Sequence, residues 1–575
     1  MLETPPADRR GVRVVRWLRE SWGIVAAGAF GALWFLGCGA RLVNPFDVET
    51  LLIDDWSTHL LGWLFFRHEP FHLPFGRIDG LLHPVGTTVG YTDSIPWMAA
   101  VFRPLSWALP ADFQYIGLFI LACFVLNGVA GAWVVRAVSP RPLHQALGGI
   151  LFALVPELLQ RVGHPSLCAQ GLLLIPFGLA LRKADDPRQA RRMASAALAV
   201  CVIAAGLHPY LAAMMLAVAA AVPLKLWLVD KQLSWRWALG VLVVMPLSMV
   251  LVFAFFGYFL GGVERGGHGF GGFSADLGTF VNPLDFSRWL SPKPQGGLQY
   301  EGFAYLGVGV FTALGLAVVS LFIRFRDARA LPYRRLAFFV PGVLATAIFS
   351  LATPWTLFGQ TVLDLGALYA RLPAGLIGPF RSSGRFIWPL MYALVAFGVV
   401  TLVRLWRHIP AVPAVLLAIC IGLQLGDVTT APVTARFKPA ALHRFTSPAW
   451  KAVDGKYAHL KLVPAEIWSV CGGRAGYRHT LVIGGAYHAY LHGLTFNSGY
   501  VARASVEQPT VCQQEEARVL RGELDPTTIY LVWPDQAQAL LQHGASCGFL
   551  DGVIACVRPA ADDDFARSLR ASAGR

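Results

Sequence analysis

The sequence predicts a polytopic α-helical membrane protein that ends in a small α/β domain. Three observations predict this. Long apolar runs recur between residues 22 and 429. The Lys and Arg residues between them alternate from one side to the other. Beyond about residue 430 the hydropathy drops and short strand-like and helix-like segments take over. The bulk numbers agree: 55% of the 575 residues are hydrophobic and 14% are charged, where soluble domains carry about a quarter charged residues. The formal net charge is +14. In such a chain that excess reads first as a topology signal rather than as a nucleic-acid surface.

A spanning helix needs about 20 predominantly apolar residues. About eleven candidates occur, at 22–43, 113–136, 145–160, 166–182, 193–208, 210–229, 237–260, 303–323, 336–353, 386–404 and 411–428. The basic stretch "MLETPPADRRGVRVVRWLRE" precedes the first run, which lacks a small-x-small cleavage site. "FLGC" at Cys38 matches a lipoprotein cleavage box only loosely. An uncleaved first helix with residues 1–21 in the cytoplasm is expected. The inner connections are then "RAVSPRP", "RKADDPRQARR", "KLWLVDKQLSWR", "RFRDARALPYRR" and "RLWRH", all basic. The outer ones, such as "RVGHPS" and "TPWTLFGQTVLDLG", are far less so. An odd number of crossings puts the C-terminal region outside, in the periplasm of a bacterial inner membrane.

Three outer segments are long. Residues 44–112 include "SIPWMAAVFRPLSWALP", too short and Pro-broken to span and expected to lie at the interface. Residues 261–302 contain "GGVERGGHGFGGF", a mobile lid or a passive linker. Residues 354–385 end in "FRSSGRF". In the C-terminal domain, 430–575, "LKLVPAEIW", "HTLVIGGAY", "TIYLVWPD" and "DGVIACV" read as strands, and "CQQEEARVLRGEL" and "QAQALLQHG" as helices.

Five of the nine cysteines, Cys38, Cys123, Cys168, Cys201 and Cys420, lie in apolar runs, where a lone Cys acts as a small core residue. Cys471, Cys512, Cys547 and Cys556 all fall in the exported domain, which implies two disulfides out of three possible pairings. Cys547–Cys556 across a hairpin, with Cys471–Cys512, is the expected set. No Cys-x-x-Cys pair supports a zinc site. There is no P-loop and no G-x-S-x-G, so nothing points to nucleotide hydrolysis or serine-hydrolase chemistry.

The stretch "IDDWSTHLLGWLFFR", residues 53–67, carries two adjacent carboxylates just beyond the first apolar run. If it is helical, Asp55 and His59 share a face by i, i+4 spacing. The alternative is an interfacial helix capped by Asp54 or Asp55.

These residues carry a resemblance. An acidic residue in the first outer loop resembles the C-type fold (GT-C) of membrane glycosyltransferases, which use polyprenyl-phosphate-linked sugars. The sequence is also similar to an uncharacterised bacterial multi-pass family associated with that fold, through "DWSTHLLGWLFFR", "GYTDSIPW", "FQYIGL", "RVGHPSL", "EGFAYLGVG", "FRSSGRFIWP" and "FNSGYVAR". Its "GHxxLxxH" element has Gln170 in place of the last His. The resemblance implies a GT-C-like bundle and sugar transfer to an extracytoplasmic glycan, lipid or protein acceptor. It implies Asp55 as the base, with Asp54 in reserve and His59 beside them.

Such a reaction needs a carboxylate to take the acceptor's proton and cations for the departing lipid phosphate. Arg381 and Arg385, around Ser-Ser-Gly before a helix, are the expected phosphate ligands; headgroup snorkelling is the alternative. Arg161 and His164 in "RVGHPS" come next. Asp93, Glu301, Tyr305 and His208 are the expected substrate contacts, although Asp93 and His208 also fit helix caps and Glu301 fits a first-turn acid. No cofactor is expected; Asp54 and Asp55 could hold a divalent ion, but lipid-phosphate donors commonly need none. The competing functions are a flippase for lipid-linked saccharides and a non-catalytic envelope scaffold. The absence of an internal repeat and the clustering of polar residues at one face disfavour the flippase.

Overall fold

The computed structural model describes residues 9–262, 270–371, 378–437, 442–468, 470–471 and 478–572. Of the predicted lid or linker, 261–302, residues 263–269 lie outside them. Among the described residues, six helices are long and apolar enough to cross a membrane: Ser21–Val43, Ile116–Arg136, Pro209–Leu228, Trp235–Phe255, Tyr333–Leu351 and Ser383–Leu405. Pro142–Ala153 and Pro156–Gly163, bent by 46°, make a seventh if taken together. Length and composition therefore support six or seven spans where eleven were expected. Three of the other predicted segments are the shorter apolar helices Pro165–Leu181, Val308–Ile323 and Ala411–Asp427. At 1.5 Å per residue, 16 or 17 residues fall short of a core about 30 Å thick. Another predicted segment, in Pro187–Ala205, belongs to a helix that opens with Arg188, Arg191 and Arg192.

Small residues bring the first helices together. A Cβ on Gly128 would lie 2.2 Å from the carbonyl of Ala27, and one on Gly149 2.6 Å from the carbonyl of Gly128. These approaches let the helix backbones touch, which is how helices associate where lipid removes the hydrophobic drive.

The first outer segment forms the helix Asp54–Phe66, of which Trp56 to Phe66 are all buried. It is wedged between the bundle and the C-terminal domain, so its apolar residues face both ways. Indole N–H groups tie it down: Trp56 Nε1 donates to the Val162 carbonyl at 2.7 Å and Trp63 Nε1 to that of Phe113 at 2.9 Å. Arg67 closes it by donating to the carbonyls of Ser106, Leu109, Pro110 and Ala111. The "SIPWMAAVFRPLSWALP" stretch contains the short helix Pro96–Phe102; Val101 within it and Leu105 and Trp107 beyond it are exposed.

The C-terminal domain is a five-stranded sheet with helices. Its strand order is Thr495–Phe496, His459–Val463, Thr528–Val532, Val553–Val557 and Ser546–Leu550. The first two pairings are parallel and the last two antiparallel. Disulfides join Cys471 to Cys512 and Cys547 to Cys556. The second pair sits directly opposed in the terminal ladder. The five other cysteines are buried and free. One expected strand is a helix: "HTLVIGGAY" starts the helix His479–Leu491. Its residues are buried on nearly every side, so no polar face marks its period, and a run of that kind reads equally as a buried strand.

Candidate functional site

The helix Asp54–Phe66 and the turn "GYTDS" are locked to each other. A Cβ on Gly62 would lie 2.1 Å from Thr92 Oγ1 and 2.3 Å from Ser94 Oγ, so only glycine permits this contact. Ser94 Oγ donates to the carbonyl of His59 at 3.0 Å. The Asp93 backbone, with φ +51°, then turns its carboxylate inward, where it is buried. It does not cap the next helix, whose N-cap is Ile95.

Five side chains from five segments meet there. Asp55 Oδ2 lies 3.1 Å from His164 Nδ1. His164 Nε2 lies 3.4 Å from Asp93 Oδ2, and His208 Nε2 lies 3.6 Å from Asp93 Oδ1. Tyr500, from the C-terminal domain, donates its hydroxyl to Asp55 Oδ1 at 2.9 Å. Burial opposes the imidazolium of His164, but its hydrogen bonds to Asp55 and Asp93 win and raise its pKa. Burial likewise opposes ionisation of Asp55 and Asp93. For Asp55 the hydrogen bond and charge of His164 and the Tyr500 hydroxyl outweigh it; for Asp93 the charges of His208 and His164 do. Both carboxyls are held below their usual range. His208 is depressed by burial first, against the pull of Asp93.

His59 has another place. Its Nδ1 donates to the Asp55 backbone carbonyl at 2.8 Å, not to the carboxylate, and its Nε2 accepts from the Ser166 backbone N–H at 3.4 Å. Burial and then the charge of His164 push it down to about 4, so it lines the site as a neutral ring. Asp54 is 80% exposed and reaches only towards His479, 3.5 Å away.

Two cavities meet at Asp55 and His164. The first, about 310 Å³, is lined by Asp55, His59, Asp93, His164, His208, Arg381 and Arg385, together with Tyr91, Tyr210, Tyr258, Phe259, Phe380, Trp468, Tyr500 and Arg503. The second, about 360 Å³, is lined by Asp54, Asp55, Gln160, Arg161, His164, Tyr300, Glu301 and Arg436. Tyr305 lines neither; its hydroxyl donates to Asp427 Oδ2 at 2.7 Å, away from both.

The arginines are not equivalent. Arg161 donates to Glu157 at 2.6 Å and to Glu301 at 2.7 Å, and Arg385 donates to the same Glu301 oxygen at 2.8 Å. Burial opposes the charge of Glu301, but Arg385 and Arg161 hold its pKa well down. Glu301 thus sits between two guanidinium groups in a buried chain, and breaking it would strand a charge. Arg385 also lies over the Tyr210 ring, 4.8 Å from its centroid. Arg381 differs: it is exposed in the first cavity and no hydrogen bond or ion pair holds it among the described residues. Arg503 spends one N–H on the Pro379 carbonyl.

Asp93, His164 and His208 bring one ligand atom each within 4.8 Å of one another. Their hydrogen bonds favour a different arrangement. His208 Nδ1 accepts from the Tyr210 backbone N–H at 3.1 Å, so its ring proton belongs on Nε2, the nitrogen facing Asp93. His164 turns both nitrogens towards carboxylates and wants both protons. A metal ligates the free lone pair of a neutral imidazole, and neither ring offers one towards Asp93 in these states.

Sequence reasoning did not select Tyr500, Trp468 or Arg503. The stretch "FNSGYVAR" contains two of them and was the available signal, but nothing local says that the chain beyond the strand Thr495–Phe496 returns to Asp55.

Residues 25–429 match the family described as a domain of unknown function, DUF6311, and residues 449–558 match the DUF6311 C-terminal domain. No curated protein matches the chain. Among solved structures it is similar to the Archaeoglobus fulgidus oligosaccharyltransferase tethered with an acceptor peptide containing the NVT sequon via a disulfide bond. The identity is 12% and the TM-score 0.39, over 84% of this chain and 64% of that one. The chain thus spans less than two thirds of that structure's length.

Proposed function

This chain belongs to the DUF6311 family, and we propose on the geometry of its site that it is a membrane glycosyltransferase, moving a sugar from a polyprenyl-phosphate-linked donor to a hydroxyl of an extracytoplasmic acceptor. One observation carries the proposal: a single ionised carboxylate, Asp55, stands where an aromatic-lined, arginine-bearing cavity meets a polar one. The sequence resemblance to GT-C enzymes points the same way.

The donor enters the first cavity. Its aromatic walls suit the sugar face and the first prenyl unit. Arg381 and Arg503 meet the phosphate, and Arg385 stays tied to Glu301 as a positioning residue. The acceptor comes through the second cavity, where Gln160 and Arg436 offer hydrogen bonds. Its hydroxyl oxygen attacks the anomeric carbon while the carbon–oxygen bond to the phosphate breaks. The proton passes to Asp55, and the electron pair leaves on polyprenyl phosphate, stabilised by the guanidinium groups. A single direct displacement inverts the anomeric configuration, and for it one base suffices. His164 and Tyr500 keep Asp55 ionised and aimed. The reaction so written uses no metal. The three shorter helices and Pro187–Ala205, added to the seven, complete a bundle of about eleven crossings in a bacterial inner membrane, with the α/β domain outside; the short ones cross where the bilayer thins around them.

Asp55→Asn is the test. With equal protein in the membrane, the variant loses its envelope glycan, and release of polyprenyl phosphate from a panel of polyprenyl-phosphate hexoses falls by about 10²-fold or more. Wild-type turnover in Asp55→Asn would remove the base and the proposal with it.

A further inference from the structure

A second cluster lies outside the two cavities, in the first outer segment. Glu69 Oε1 accepts from the backbone N–H groups of Asp79 and Gly80, at 2.9 and 2.8 Å. Asp79 Oδ1 takes Arg77 Nε at 2.5 Å. Each carboxylate thus has one oxygen committed and one left, and the two remaining oxygens both face His72. His72 Nε2 lies 3.8 Å from Glu69 Oε2 and 3.8 Å from Asp79 Oδ2. Both ring nitrogens of His72 are shielded from solvent with no hydrogen-bond partner. The Glu69 side chain is only 8% exposed, with its remaining oxygen aimed into the cluster.

Separations of 3.8 Å are too long for hydrogen bonds. They suit two ligands of one cation, and with all three atoms within 4.8 Å of one another a point about 2.5 Å or less from each exists. That is within a few tenths of an ångström of the usual metal–ligand distances. If His72 were simply a cation between two acids, charge-assisted contacts would close to about 2.8 Å. One imidazole with two carboxylates matches a divalent transition metal better than calcium, which takes oxygen ligands.

We propose that Glu69, His72 and Asp79 bind a divalent transition-metal cation that fastens the first outer segment to the edge of the C-terminal sheet. The fastening follows from what comes next in the chain. The Gly80 carbonyl accepts from the Phe496 N–H at 2.8 Å, Leu81 pairs with Phe496, and the His83 N–H donates to the Phe496 carbonyl at 3.0 Å. Phe496 begins the stretch that carries Tyr500 to Asp55. Arg103 holds the other flank, donating to the carbonyls of Glu69 and Pro70. The site is independent of the transferase reading.

The test uses the full-length protein, purified in detergent, stripped with a chelator and titrated with Co²⁺ or Zn²⁺ alone. Wild type binds one equivalent, counted by elemental mass spectrometry, with a cobalt ligand-field band, and its Tm rises with metal. His72→Ala weakens binding at least tenfold and loses the Tm response. Asp79→Asn, at a half-exposed position, gives the same result should His72→Ala fail to fold. Failure of wild type to bind the metal, or unchanged stoichiometry and affinity in the variants, overturns the site. So does loss of binding in Asp93→Asn with retention in His72→Ala, which would move the metal to the buried trio.

Discussion

Asp55 takes its character from its neighbours. Tyr500 and His164 each engage one of its oxygens, and both favour the charged form. Removing the hydroxyl in Tyr500→Phe deletes a hydrogen bond to a charge, worth about 1.5–3 kcal/mol. Turnover should fall about tenfold or more, and the acid limb of the kcat/KM profile should move to higher pH as the Asp55 carboxyl rises. An unchanged acid limb would mean that Tyr500 only packs there. His164 carries a linkage of defined sign. Its folded pKa is raised, so its stabilisation is fully present below the ordinary histidine value of about 6.5 and is lost as pH rises through the raised value. For Asp55 and Asp93 the folded values are depressed, so their contribution is present above about 4 and is lost as pH falls through the depressed values. The Tm gap between wild type and His164→Gln should therefore be widest between about pH 4 and 6.5 and narrow as pH rises through the raised His164 value. A gap independent of pH would show that His164 is not the imidazolium of the site.

At the scale of elements, the site depends on one contact between a helix and a turn. Gly62 lets Asp54–Phe66 press against Thr92 and Ser94. That contact holds Asp55 and Asp93 on either side of His164. Gly62→Ala puts a methyl group where no space exists, which costs about 1–3 kcal/mol as overpacking, against a gain of at most about 1 kcal/mol in helix propensity. Net destabilisation, read as a lower Tm in detergent, should accompany loss of activity in protein that still reaches the membrane. A more stable Gly62→Ala protein would mean that the turn gives way without cost. The same helix shows why its sequence misleads: its burial is nearly complete because two bodies cover it, not one.

At the scale of the molecule, the C-terminal domain is a wall of the site, not an appendage. Tyr500, Trp468 and Arg503 line the first cavity beside residues of the bundle, and Thr58 Oγ1 donates to the Tyr500 carbonyl at 2.9 Å. Its two disulfides fit an oxidising compartment. Opposite ends of the chain should therefore face opposite sides. A reporter that works only in the cytoplasm should be active when fused before Met1, and one that works only after export should be active when fused after Arg575. Activity of both on the same side would require an even number of crossings and would put Asp55 and the disulfides in conflict.

The sequence by itself determined the helical membrane class, the drop to an α/β domain near residue 430, the presence of two disulfides there, and seven of the residues around the first cavity, Asp55, His59, Asp93, His164, His208, Arg381 and Arg385. Each rests on short-range or compositional information: apolar run length, the side on which Lys and Arg fall, and the placement of cysteines. Only the tertiary structure decided which carboxylate is available. Asp54 and Asp55 are adjacent in sequence, yet one points to solvent and the other to His164 and Tyr500, partners 109 and 445 residues away. It also decided that Arg161, Arg385 and Glu301 spend their charge on one another, that Tyr305 serves Asp427, and that His59 bonds a backbone carbonyl. Spacing along a chain records which residues can share a face. It does not record which opposite charge arrives from elsewhere, and in a buried site that arrival sets ionisation, because desolvation makes an unpaired charge too costly to keep.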